Sequence, residues 1–400
     1  MMTIQSIVAI AAVGLAALAS FGSLYVLFFA LVGERTRPGQ DGESTTSEPR
    51  TRFLVLVPAH NEEKGIRPTL QTLSKLHYPI ALYRVIVVAD NCDDDTAAVV
   101  REEGFECWVR DAPELRGKGQ ALRWALDRAN SLSFDAVVVI DADNTIEPGF
   151  LQAFDFELGR GKSVLQAWEE FELNDRNGFC LLTVASKRAE NALFWRPRQQ
   201  LGLALFLQGN GFCLRRDVLD HVPWTAYSIV EDLEFSLQLA LHDVRVCLVE
   251  SARLVTRTTA SARDAFPRGL RGASGAFQVT VRYIPSLLRG AWREGRVYLA
   301  EAAIALLLTS RVVLVYLTLL ALGFSFLGLP VALALGVRLA VAVAIVLQLA
   351  YLTCVVGTIA EGRQRWRSLA ALPGYMGWLL VVQFLAALGL RRNVWARTTR

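Results

Sequence analysis

Charge is scarce in this chain. Of its 400 residues only 20% are Asp, Glu, Lys or Arg, against 53% hydrophobic, which is too little charge for the surface of an ordinary soluble enzyme and excludes a disordered chain. Four stretches contain no charged residue at all: 1–33, 312–337, 339–360 and 368–390. Each is long enough to cross a hydrocarbon core of about 30 Å at about 1.5 Å per helical residue. The six cysteines (Cys92, Cys107, Cys180, Cys213, Cys247 and Cys354) make no C-x-x-C pair, so no zinc framework is visible and the thiols read as reduced and structural. Two phosphate-binding signatures are also missing. There is no G-x-x-x-x-G-K-[ST], and no G-x-G-x-x-G comes after the first strand-like run, so neither a P-loop nor a dinucleotide fold is expected.

The first apolar stretch lacks a basic n-region and continues through Tyr25-Val-Leu-Phe-Phe-Ala-Leu-Val32, so it reads as an uncleaved anchor rather than a signal peptide. Arg35, Arg37, Arg50 and Arg52 come closely after it, which by the positive-inside rule puts the long middle region in the cytosol. The expected organisation is an anchor over 1–33, a globular domain over 50–250, interfacial amphipathic helices over 251–311, a membrane region over 312–390 and a basic cytosolic tail over 391–400. The interfacial reading rests on Arg263, Arg268, Arg271, Arg282, Arg289 and Arg293 set among Phe266, Phe277, Tyr283 and Trp292, a pattern suited to anionic lipid. Nucleic acid is not an expected partner, because no RNA- or DNA-binding motif accompanies these arginines. In the membrane region, 312–337 and 339–360 make an out-and-back pair. Pro373-Gly374 within 368–390 suggests a re-entrant or surface-lying helix, so three spanning helices and a cytosolic C-terminus are expected.

The middle region alternates β-rich runs with helix-like segments. Phe53-Leu-Val-Leu-Val57, Tyr83-Arg-Val-Ile-Val-Val-Ala89, Glu106-Cys-Trp-Val109 and Asp135-Ala-Val-Val-Val-Ile140 are the runs, with helices over 63–76, 95–103 and 119–130. This predicts an α/β fold, a mainly parallel sheet covered by helices. Ligands of such sheets bind beyond the carboxyl ends of the strands. The segments directly after the strands are therefore informative: Pro58-Ala-His-Asn-Glu-Glu63, Asp90-Asn-Cys-Asp-Asp-Asp95 and Asp141-Ala-Asp143. Asp94 or Asp95 could simply cap a helix. Asp141-Ala-Asp143, immediately past a buried strand, is a plausible oxygen-ligand site for Mg2+ or Mn2+ together with a diphosphate. Arg116-Gly-Lys-Gly119 places Lys118 between glycines at a helix start, which suits an anion. Glu231-Asp232 opens a further helix, where acidic residues also complement the dipole.

In order, Pro58-Ala-His-Asn-Glu-Glu63, Asp90-Asn-Cys-Asp-Asp-Asp95, Arg116-Gly-Lys-Gly119, Asp141-Ala-Asp143, Gln208-Gly-Asn-Gly211 and Val230-Glu-Asp232 resemble the motif series of membrane-bound family 2 glycosyltransferases. That group contains the cellulose, chitin and hyaluronan synthases and ceramide glucosyltransferase. The similarity covers about 53–283, and Trp395-Ala-Arg-Thr-Thr-Arg400 is similar to the tail of many bacterial members. The resemblance implies a GT-A fold, a nucleotide-sugar donor such as a UDP-sugar, a divalent cation (Mg2+ or Mn2+), and single displacement with inversion. It implies that Glu62 and Asp90 hold the nucleoside, Lys118 the diphosphate, Asp141 the nucleoside or metal side, and Asp143 the metal. Asp232 would be the general base, with Asn210, Glu231 and Arg271 on the acceptor side.

The chain departs from the family at one slot. Polysaccharide synthases of the group carry Q-x-x-R-W after the E-D motif, where the Trp stacks on the acceptor sugar. Here the slot reads Arg268-Gly-Leu-Arg-Gly272, so Arg271 keeps its type and Gly272 replaces the aromatic platform. The expectation is a multi-pass cell-membrane enzyme transferring a sugar to a lipid-linked or cell-surface glycan acceptor. The alternatives are a processive exopolysaccharide synthase and a catalytically silent membrane scaffold that binds a nucleotide sugar.

Overall fold

The computed structural model describes residues 4–35, 48–173, 177–258, 261–308, 310–358 and 362–389. Arg37 and the 391–400 tail lie outside the described residues. The chain runs through α1 (Ile4–Arg35), β1 (Phe53–Ala59), α2 (Ile66–Leu73), β2 (Tyr83–Asp90), α3 (Thr96–Glu102), β3 (Glu106–Arg110), α4 (Lys118–Arg128) and β4 (Ala136–Val139). It continues through β5 (Thr145–Ile146), α5 (Phe150–Gly159), β6 (Val164–Glu172), α6 (Gly178–Glu190), α7 (Arg196–Gln200), β7 (Phe212–Arg215), α8 (Arg216–His221), α9 (Glu231–Leu241) and β8 (Val246–Arg257). Five helices close it: α10 (Ala262–Glu294), α11 (Val297–Leu307), α12 (Val312–Phe324), α13 (Val331–Gly357) and α14 (Arg363–Ala387).

Two compact units result. One gathers Met1–Arg37, Asn177–Leu201 and Ala303–Val381; the other gathers Pro38–Arg176, Gly202–Ala302 and Val382–Arg400.

The second unit is built on a sheet in the order β3-β2-β1-β4-β7-β6-β8-β5. β1 lies parallel to β2 and β4, β2 to β3, and β6 to β8. β7 runs antiparallel to β4 and β6, and β5 to β8. The mainly parallel sheet expected from the alternation is thus present, with an antiparallel insertion at β7. Every residue of Phe53-Leu-Val-Leu-Val57 is buried, as a central parallel strand covered on both faces requires. Val55, Val57, Val87, Val138, Phe150, Phe154 and Leu254 share one core cluster. Since β1, β2 and β4 run the same way, the loops after them emerge at one edge, and that edge carries the acidic motifs.

β8 corrects one expected boundary. The strand runs to Arg257, so Arg253 and Arg257 are strand residues paired with β6, and the helices expected from 251 onward begin only with α10 at Ala262. The alternation exposed-buried-exposed-buried in Ser251-Ala-Arg-Leu254, followed by the β-branched pair Val255-Thr256, fits a pleat and was masked in the sequence by the surrounding arginines.

In the first unit, α1 buries Ala12, Ala16, Ala19, Ser23, Val26 and Ala30, a small-residue face that lets helices approach closely. Gln348 of α13 donates to Ser23 Oγ at 3.1 Å and to Thr318 Oγ1 at 2.9 Å, joining α1, α12 and α13 by a buried polar tie. Three helices, Ile4–Arg35, Val331–Gly357 and Gln364–Ala387, are long and apolar enough to cross a membrane, and a fourth span results if the bent pair Val297–Leu307 and Val312–Phe324 is one. The expected span over 312–337 is not one helix. The helix ends at Phe324, and Pro330 caps the next one, within which Arg338 lies. Arg338 folds back to Ser325 Oγ at 3.3 Å and stands 4.4 Å from the Phe326 ring centroid, so this charge closes a turn instead of marking a span boundary. The segment with Pro373 is one continuous helix, long and apolar enough to cross a membrane.

Candidate active site

The first two loops are locked together by their asparagines. Asn61 and Asn91 adopt left-handed backbone with φ of 57° and 49°, which asparagine tolerates. Asn61 Oδ1 accepts the Asp93 N–H at 2.7 Å, and Asn91 Oδ1 accepts the Ala112 N–H at 2.8 Å. His60 Nδ1 lies 2.7 Å from the Asp90 carbonyl, a loop tie that gives the imidazole a structural task. Asp94, not Asp95, caps α3: its Oδ1 accepts from the Thr96 N–H at 3.0 Å. Thr96 Oγ1 accepts from the Glu62 N–H at 2.8 Å, which fixes Glu62 beside the start of α3.

Asp90 is buried, and its carboxylate is paired with the equally buried Arg110, which the register places directly opposite it on β3. Sequence reasoning does not find Arg110. Its one signal there is a charged residue ending an apolar strand, and only the pairing register shows whom it faces.

Lys118 is the centre of the site. Gly117, at φ 125°, turns the chain into α4 so that Lys118 is its first residue. Lys118 Nζ donates to Asp141 Oδ1 at 2.5 Å and to the Gly209 carbonyl, and stands 3.6 Å from Glu231 Oε1. Three loops that are far apart in sequence therefore meet at one ammonium. Burial acts to lower its pKa, but Asp141, Glu231 and Asp232 outweigh burial and raise it, so it stays charged.

The carboxylates respond in kind. Burial raises Glu231 to about 7, against the pull of Lys118 and with a further push from Asp232. Asp232 is also raised by burial, opposed by the Leu233 N–H and by Lys118. Asp141 is raised by burial and by Asp143, although its side chain keeps 36% of its surface open to solvent, which tempers the effect.

Asp232 lies in the first turn of α9, against Gly209. A Cβ at Gly209, whose φ is +84°, would come 3.1 Å from Asp232 Oδ2, so only glycine leaves this carboxylate room. Asn210, expected to meet the acceptor, turns inward instead. It is 5% exposed, its amide oxygen accepts the Asp141 N–H at 3.2 Å, and its carbonyl accepts from Gln166 Nε2 at 2.8 Å. It braces the Asp141 loop. Gln166, a mid-strand residue in none of the sequence motifs, is the other half of that brace and also accepts the Gln208 N–H at 2.9 Å.

Helix α10 brings the departing slot to the site. Arg268 Nη2 is 3.6 Å from Asp143 Oδ2, and Arg271 lies close enough to Glu231 and Arg268 that both charges act on it. Burial first, then Arg268, lowers the Arg271 pKa. At Gly272 an added Cβ would meet nothing within 4 Å, so the position is open at the level of one carbon.

Among the described residues no three His, Cys, Asp or Glu side chains gather as a closed metal cage. Asp141 and Asp143 are nevertheless hard oxygen donors, near enough for Asp143 to repel a charge on Asp141, and each faces a cation. That arrangement fits a divalent ion of the Mg2+ type, which takes one or two carboxylates and completes its shell with phosphate oxygens and water.

The family described as "Glycosyltransferase like family 2" matches residues 49–275, more than half of the chain. A beta-monoglucosyldiacylglycerol synthase of Synechocystis sp. is 27% identical over 257 residues, 62% of this chain and 53% of its own length. The probable glycosyltransferase YdaM of Bacillus subtilis is 41% identical over 102 residues, 24% of either chain. The matches thus span about half, or less, of the length of these curated relatives. The mannosyltransferase PcManGT of Pyrobaculum calidifontis, solved with GDP-Man and Mn2+, superposes with a TM-score of 0.58 over 96% of this chain and 100% of its own at 17% identity, a likeness of fold.

Proposed function

This chain belongs to glycosyltransferase-like family 2, and from that premise we propose that it is a membrane-anchored, inverting glycosyltransferase moving a sugar from a nucleotide-sugar donor to a lipid acceptor at the cytosolic face. The observation that carries this reading is the meeting of Asp141, Glu231 and Gly209 at Lys118, which joins the donor-side loops to the acceptor-side pair Glu231-Asp232.

The chemistry divides along that line. The acceptor hydroxyl oxygen attacks the anomeric carbon, the bond to the diphosphate breaks with its electron pair going to the phosphate oxygen, and the hydroxyl proton passes to the Asp232 carboxylate. A raised pKa makes that carboxylate a better base. Lys118 carries a fixed positive charge to the diphosphate side. Asp143, with Asp141, would hold a divalent cation, Mg2+ or Mn2+, that offsets the charge on the leaving diphosphate. Asp90 and Glu62, at the ends of adjacent strands, are assigned to the nucleoside, and Arg271 with Glu231 to the acceptor side. Attack from the face opposite the leaving group gives inversion.

Two features support a lipid acceptor. The Synechocystis relative is named for a glycolipid product, and Gly272 offers no stacking platform for a growing chain. The exposed face of α10 supports membrane seating. Phe277, Val281, Leu288 and Trp292 succeed one another at helical spacing and are 46%, 60%, 49% and 90% exposed, with Arg282, Arg289 and Arg293 exposed beside them.

The test is to incubate membranes containing the protein with labelled UDP- and GDP-sugars and Mg2+ or Mn2+, then partition the product between organic solvent and water. Label should enter the organic phase, and Asp232→Asn should abolish it. Label in high-mass aqueous material would favour polymer synthesis, and transfer at the native rate by Asp232→Asn would remove the base assignment.

A further inference from the structure

Glu234 belongs to none of the motifs, yet it is a buried carboxylate with both oxygens bonded. It is 2% exposed and lies two residues past Asp232 in α9. Its Oε2 accepts the backbone N–H groups of Tyr227 at 3.1 Å and Ser228 at 2.9 Å. Its Oε1 accepts from Arg282 Nη1 at 3.1 Å and from the Tyr283 hydroxyl at 3.3 Å, both on α10. Each oxygen thus takes two donors, enough to compensate a buried charge. Gln238 Nε2 donates to the Tyr283 hydroxyl at 3.1 Å, adding a second link from α9 to α10.

We propose that Glu234 is a positioning residue for sugar transfer: it clamps the 227–230 segment that leads into Glu231 and Asp232 and fixes that segment against α10. This rests on the reading of Asp232 as the base. A second brace acts on the same segment, since a Cβ at Gly275 of α10 would come 2.3 Å from Ile229 Cγ2. On the other side of Asp232, its carbonyl accepts from Ser236 Oγ at 2.7 Å, and Ser236 Oγ accepts the Leu207 N–H at 2.8 Å, so α9 is also tied to the irregular segment leading to Gly209. The base is held between these ties. Because Arg268 and Arg271 ride on the same helix α10, the clamp also sets where they stand relative to Asp143 and Glu231. A residue that only complemented the dipole of α9 would need neither Tyr227 and Ser228 nor α10.

The experiment uses the full chain in detergent with Glu234→Gln. The amide keeps one acceptor oxygen but must turn its N–H2 toward either the Tyr227 and Ser228 N–H groups or the Arg282 guanidinium, which can only donate, so one side of the clamp opens. Donor affinity, measured by titration calorimetry in the presence of Mn2+, should stay within about twofold, and kcat per donor-binding site should fall about a hundredfold, the scale for misplacing a reacting group by about 1 Å. The double variant Arg282→Gln/Tyr283→Phe leaves the loop bonds intact, releases only the α10 side, and should also lower kcat at unchanged donor affinity. Native kcat per binding site in Glu234→Gln, with only the melting temperature lowered, would overturn the proposal, as would loss of donor binding together with activity. If Glu234→Gln does not fold, native kcat in the double variant overturns it equally. Asp232→Asn, run in parallel, reports separately on the base: if that variant transfers sugar at the native rate, the base assignment fails whatever Glu234 does.

Discussion

Replacing Glu231 by Gln should make the protein more stable at alkaline pH and less so, or not at all, near pH 5. Glu231 is 7% exposed, and burial holds its pKa at about 7 where a free glutamate titrates near 4.5, despite Lys118 standing 3.6 Å away. Below pH 4.5 the carboxyl is protonated in the folded and unfolded chain alike and costs nothing. As the pH rises from there to 7 the unfolded chain ionises first, so folding loses stability across that window. At about 1.4 kcal/mol for each tenfold change in proton affinity, the cost above pH 7 is on the order of 3 kcal/mol. Gln removes it without emptying the space, and Lys118 keeps Asp141 at 2.5 Å. The assay is thermal unfolding without donor at pH 5 and pH 8, monitored by tryptophan fluorescence. Trp224 is a suitable reporter, buried in this unit against Phe212 and 4.5 Å from the Phe235 ring centroid. The native protein should melt lower than the variant at pH 8 and by a much smaller margin at pH 5. A constant offset between the two at both pH values would refute the reasoning, because it would mean that Glu231 titrates normally.

At Gly211, φ is +63° and an added Cβ would lie 1.9 Å from Leu254 Cδ2, so Gly211→Ala should cost about 3 kcal/mol in a urea titration. Gly209→Ala meets only Asp232 Oδ2, at 3.1 Å, and should cost about 1–2 kcal/mol while abolishing transfer; native activity there would separate Asp232 from the chemistry. Arg110→Met strands the buried Asp90 carboxylate and should cost about 3–5 kcal/mol, with a loss under about 1 kcal/mol showing that the pair is not needed for folding. Trp292→Ser should weaken the binding of an isolated α10 peptide to vesicles rich in anionic lipid, measured by flotation, and unchanged flotation would remove α10 from the membrane surface.

The sequence by itself determined the first four strands, the edge at which their loops emerge and the acidic residues on those loops, but not β5, β6 or β8. These are local matters: a short, β-branched apolar run such as Val85–Val88 favours a covered strand, and an Asp directly after it, such as Asp90, falls at the end where ligands of such sheets bind. Hydropathy also located the membrane-length helices, but it could not find the break between Phe324 and Val331, because turn and helix there are equally apolar. Tertiary structure alone decided who faces whom. Arg110 meets Asp90 through strand register, Arg268 meets Asp143 across more than a hundred residues, and Lys118 collects partners from three loops. It also reassigned Asn210, whose inward turn is set by the left-handed glycines on either side of it. The physical reason is common to all of these. A residue's type fixes what it can bond, while its partner is fixed by how the chain brings distant segments together, and burial then decides which of those charges keep their protons.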